Sequence, residues 1–146
     1  MLRAFPMILL AVLAYNALAL AGGAASQPMT AMLAQSFTVM LFSGDSWTIS
    51  LGDGFLAAAL ILLFVETVRA TSTSHREIIN HALSMLTFGG ALAEFLVLKG
   101  FGTSTFFLIT AMCLFDVVAG YTISIISARR DLNVEREEAD DYHGGH

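Results

Sequence analysis

A chain of 146 residues that is 56% apolar, only 13% charged and has a mean hydropathy of +0.72 carries more apolar surface than a soluble domain of this size can cover. Its formal net charge of −5 comes mostly from an acidic C-terminal stretch, which excludes a nucleic-acid surface. The single cysteine, Cys113, excludes an intrachain disulfide and paired-cysteine redox chemistry.

The first apolar run, residues 5–21, follows Arg3 and contains Asn16. A leader ending at Ala19-Leu20-Ala21 is the competing reading, but the run exceeds the ~7–15-residue core of a signal peptide. It is therefore expected to be a retained helix, with Pro6 near its start, where a missing N–H costs little. Residues 22–53 form a loop. A hairpin is expected over residues 37–51, with room for an interfacial helix from Pro28 to Met40 ahead of it. Its arms are residues 37–42 and 47–51, and its turn is Ser43-Gly44-Asp45-Ser46. The second arm alternates, with Trp47, Ile49 and Leu51 on one face, and Trp47 suits headgroup depth.

A second helix is expected over 54–71, with Asp53 as its N-cap and Arg69 reaching outward. A third is expected over 75–98. Ser74-His75-Arg76-Glu77 has capping-box spacing at its start, and Gly100 and Gly102 follow its end. The fourth is expected over 104–128, capped by Thr103 or Ser104 and closed by Arg129 and Arg130. Residues 131–146 read as a solvated acidic tail. His143 and His146 on that tail make a poor metal site.

Together these elements predict an all-α membrane protein, a bundle of four transmembrane helices with a small hairpin in the outer loop between helices 1 and 2. Short turns make helices 2, 3 and 4 antiparallel neighbours. Arg3, Arg69, Arg76, Arg129 and Arg130 fall on one side of this arrangement and Lys99 on the other. Both termini are thus expected in the cytoplasm, with residues 1–130 as one membrane domain.

An ionisable side chain at mid-membrane costs about 2.5–3.5 kcal/mol and usually has a partner or a task. The candidate polar network is Asn16, Glu66, His81, Glu94 and Asp116. Glu66 can pair with Arg69 on one helix face, and Glu94 can pair with Lys99. Asp116 shares a face with Met112, Gly120 and Ser124. Asn80, Ser84, Thr87, Ala91 and Glu94 form a stripe on the third helix, with Gly89 and Gly90 beside it. Gly89, Gly90, Gly120 and Ser124 are the expected helix-packing residues. The two stripes are expected to meet, with Asp116 protonated or hydrogen-bonded to Asn16 or Thr87. No catalytic constellation, metal cluster, phosphate-binding loop or cofactor signature is read from the spacing.

Gly52-Asp53, Leu63-Phe64-Val65-Glu66, Ala70-Thr71, His81-Ala82-Leu83-Ser84, Glu94-Phe95-Leu96, Thr103-Ser104-Thr105-Phe106-Phe107 and Asp116-Val117-Val118-Ala119-Gly120 resemble a group of small bacterial inner-membrane proteins with no established activity. The resemblance covers roughly residues 47–127. It implies a compartment and a helix count, and no chemistry. The expected function is that of a non-enzymatic accessory or assembly subunit of an inner-membrane complex. Its partners are the bilayer and other membrane subunits or further copies of itself. The alternative is a proton or small-cation pathway formed by an oligomer. A membrane-embedded enzyme using the same acids is a third, weaker option.

Overall fold

The computed structural model describes residues 6–24, 26–70 and 77–143. In chain order it has α1 (Ile8–Ala24), α2 (Met29–Leu33), β1 (Ser36–Met40), β2 (Ser46–Ser50), α3 (Leu51–Ala70), α4 (Glu77–Val97) and α5 (Ser104–His143). The chain is mostly helical with one two-stranded sheet.

Two helical stretches, Leu51–Arg69 and Ser104–Thr122, are long and apolar enough to cross a membrane. This is fewer than the expected four. α1 is apolar but shorter. α4 has the length, 21 residues, but Asn80, His81, Ser84, Thr87 and Glu94 dilute its apolar character.

The β strands pair antiparallel, with Val39 opposite Trp47 and Phe37 opposite Ile49. Their side chains share one apolar face. Thr38 and Thr48 face each other on the opposite side, with hydroxyls 3.0 Å apart. The reversal needs Gly44, which sits at φ +89° and donates its N–H to Leu41 O at 3.0 Å. Glycine adopts that left-handed backbone without steric cost. Leu51 N–H donates to Gln35 O at 2.7 Å, tying the root of β1 to the start of α3.

α3 begins three residues earlier than expected, because Ser50 and not Asp53 is its N-cap. Asp53 N–H donates to Ser50 Oγ at 3.1 Å, and Ser50 N–H donates back to Asp53 Oδ2 at 2.9 Å. This is a reciprocal capping box with Asp53 at its third position. At α5 the cap is Thr103, whose Oγ1 accepts the Phe106 N–H at 3.2 Å. α5 runs 40 residues, through the stretch expected to be a loose tail. No glycine or proline interrupts the sequence between Gly120 and Gly144, so nothing local stops its backbone ladder. The Ser74–Glu77 capping box and the Ser124 side chain lie outside the described residues.

The helix order in space differs from the order in the chain. α5 lies at the centre, packing most extensively against α4 and α3 and also against α1. Consecutive α3 and α4 do not form a substantial contact among the described residues. α1 contributes Ile8, Ala11, Val12 and Tyr15 to the core, against Ala59, Leu63, Ala91, Ile109 and Cys113 from the other helices. The outward faces remain apolar. Leu60, Ile61 and Phe64 on α3 and Phe107, Phe115 and Val118 on α5 are all more than half exposed.

Candidate functional site: two buried polar clusters

The polar side chains inside the bundle gather at two levels. At the level of the β-hairpin root, Asn16 Nδ2 donates to Glu94 Oε2 at 2.9 Å and to Val12 O, one turn back on its own helix, at 3.1 Å. Asn16 therefore joins α1 to α4 and is not a partner of Asp116. Beside it, the Tyr15 hydroxyl donates to Gly100 O at 3.2 Å and lies 2.6 Å from Thr103 Oγ1. Since the tyrosine proton goes to Gly100, Thr103 is the donor in the shorter contact. The ring of Tyr15 packs against Phe55, Phe101 and Phe106, with centroids 5.9, 5.5 and 4.6 Å away. An open cleft of about 450 Å³ lies nearby, lined in part by Met29, Lys99, Gly100 and Thr103. Tyr15 was not singled out from the sequence. The signal was present, because a tyrosine inside an apolar helix needs a partner for its hydroxyl.

The second cluster lies where α1 starts and α3 ends. Glu66 is 5% exposed, and its Oε2 accepts the Ile8 N–H at 3.2 Å. Its carboxylate also takes hydrogen bonds from the Met7 backbone and the Asn80 side chain. The first N–H groups of a helix have no partner within the helix, and here a carboxylate from another helix supplies one at the positive end of the α1 dipole.

Asp116, 6% exposed, faces the same cluster from α5 and interacts electrostatically with Glu66. It hydrogen-bonds with Ser84 and lies near His81. Its partner on α4 is thus Ser84 and not Thr87, whose hydroxyl is taken by Leu83 O at 2.8 Å. His81 stacks on Tyr121, with centroids 5.9 Å apart and planes at 26°. A Cβ on Gly120 would stand 3.3 Å from His81 Nδ1, so the glycine makes room for the imidazole against α5.

Of the expected network, then, Asn16 and Glu94 meet at one level, and Glu66, His81 and Asp116 meet at the other. Ser84 and Glu94 are ten residues apart on α4, about 15 Å of helix rise. The Thr87 and Thr110 hydroxyls are bonded to carbonyls of their own helices, Leu83 O and Phe106 O. The candidate polar network is thus divided between two levels of the bundle.

No protein-family model, curated protein or solved structure matches this chain. The resemblance drawn from the sequence rests on its residues alone.

Gly89 and Gly90, expected as helix-packing residues, are both exposed, and a Cβ on either would meet nothing within 4 Å. The buried side of α4 is carried by Ser84, Thr87 and Ala91; Gly89 lies on the opposite face and Gly90 on its flank. Among the described residues no group of three His, Cys, Asp or Glu side chains could hold a metal ion.

Proposed function

We propose that this chain is a multi-pass protein of a bacterial inner membrane and serves as a non-enzymatic accessory or assembly subunit, acting through helix–helix contacts. The reading is carried by the outward face of α4. Gly89, Gly90 and Ala93 are exposed there, flanked by Leu86 at 72% and Val97 at 78% exposure. Each helical glycine costs about 0.8–1 kcal/mol relative to alanine, and nothing among the described residues uses the space they leave. A small residue four positions from another lets two helix backbones approach closely in lipid. Gly89 and Ala93 have that spacing.

The membrane itself is supported by burial. Only 22% and 28% of the two apolar windows are covered within the chain, whereas a core helix of a soluble protein would be mostly buried. α1 supports retention, because its residues belong to the core and Glu66 caps it. The arginine distribution supports termini in the cytoplasm.

Affinity purification in mild detergent tests the reading. The wild type is expected to bring a second membrane protein with it. The Gly89→Leu/Gly90→Leu variant is expected to come alone while melting no lower than the wild type. Recovery of only this chain from the wild type would defeat the proposal.

The alternative, a proton or small-cation pathway, keeps one support in the buried acids. With about 15 Å of apolar packing between the two clusters, a second chain would have to complete it. A proteoliposome flux assay decides that question.

A further inference from the structure

Three buried polar atoms, Asn80 Oδ1, His81 Nδ1 and Asp116 Oδ2, have no hydrogen-bond partner among the described residues. All three belong to the cluster that holds Glu66. An orphaned buried polar atom costs about 1–3 kcal/mol, and interiors rarely leave several together unfilled. The chemistry of the three narrows what is missing. An amide oxygen and a carboxylate oxygen only accept, and an imidazole nitrogen accepts in one of its neutral tautomers. The missing partner is therefore a donor or a positive charge. Two acids share the cluster, and like charges in one buried place disfavour joint ionisation unless a cation intervenes. A divalent ion held by protein ligands alone needs six or more oxygens, and among the described residues no group of three His, Cys, Asp or Glu side chains could hold a metal ion.

We propose that Glu66, Asn80 and Asp116 form a buried site for one small monovalent cation, a proton or Na⁺. Asp116 Oδ2 and Asn80 Oδ1 are the open ligands, and the second acid, Glu66, balances the charge while capping α1. The titratable groups facing Asp116 are Glu66 from α3, His81 from α4 and Cys113 on its own helix. Among the described residues, the start of α1 presents the backbone N–H groups of Met7 and Ile8. Occupancy of this site is independent of what binds the outer face of α4.

The test is thermal unfolding of the full chain in detergent at constant ionic strength. Na⁺ is exchanged for choline and pH is varied from 5 to 8, with ²²Na⁺ equilibrium dialysis alongside. A Na⁺ site raises the wild-type Tm by roughly 5–10 °C at saturation and retains ²²Na⁺. A proton site leaves Tm indifferent to Na⁺ but lowers it as pH rises and the proton leaves. Either dependence must be lost in Asp116→Asn. Asn80→Ala keeps both acids and must weaken it, which covers the case in which Asp116→Asn does not fold. A wild-type Tm indifferent to Na⁺ and to pH, with no retained ²²Na⁺, overturns the proposal. So does a dependence that survives unchanged in the variants.

Discussion

The carboxylate of Glu66 accepts the backbone N–H of Ile8 at 3.2 Å, so that an acid on α3 ends α1. The two groups are 58 residues apart in the chain. An acid inside a bundle is usually read as a cost or a catalyst. Here it satisfies donors that the geometry of every helix start leaves open.

Glu66→Ala should therefore destabilise the protein by about 1–3 kcal/mol, the cost of leaving a buried N–H unsatisfied. Glu66→Gln keeps an acceptor and should cost less. Reversible unfolding in detergent gives both values. Equal losses would show that the cap is not what Glu66 contributes.

Asn16 and Glu94 should behave as a coupled pair. Asn16→Leu and Glu94→Leu, alone and together, form a double-mutant cycle with an expected coupling of about 0.6–2 kcal/mol. Additive effects would mean that the 2.9 Å contact between α1 and α4 carries no energy.

Gly52 and Gly54 stand two residues apart in the first turn of α3, and their alanine variants should differ in sign. A Cβ on Gly52 would stand 2.8 Å from Thr105 Oγ1, so Gly52→Ala must push α3 from α5 or turn that hydroxyl away. A Cβ on Gly54 meets nothing within 4 Å. Gly54→Ala should stabilise by up to about 1 kcal/mol through helix propensity. Melting temperatures of the two variants decide it.

Trp47 is the only tryptophan, so its fluorescence reports on the hairpin alone. Its face, shared with Phe37, Val39 and Ile49, is apolar, and Phe42 at the turn is fully exposed. The backbone edges of a two-stranded sheet cannot enter the acyl region unpaired. The hairpin should lie flat at headgroup depth. In proteoliposomes Trp47 should be quenched by lipids brominated near the headgroup and shielded from aqueous iodide. Full iodide quenching would place the hairpin in water.

The sequence alone was sufficient wherever the information is local. Apolar runs marked α3 and α5, and alternation with a glycine turn marked the hairpin to within two residues at each strand end. Residue spacing brought out the small-and-polar stripe of α4. The capping of α3 was missed by one box, because Ser50 and Asp53 both suit an N-cap and only the backbone decides between them. The end of α5 was missed because acidic composition was read as solvation, although charged residues also propagate a helix.

Partner choice was beyond the sequence. Asn16 with Glu94, and Glu66 with Ile8, span 78 and 58 residues, and nothing local ranks one distant partner over another. Likewise, Gly89 and Gly90 suit close packing on whichever face of α4 they meet a neighbour. Only the placement of α5 at the centre of the bundle, rather than in chain order, turned that face outward and left Asp116 beside Glu66. Tertiary packing made those choices because side-chain partners are settled by which helix faces are brought together, and helices joined by short turns can still be arranged in more than one way.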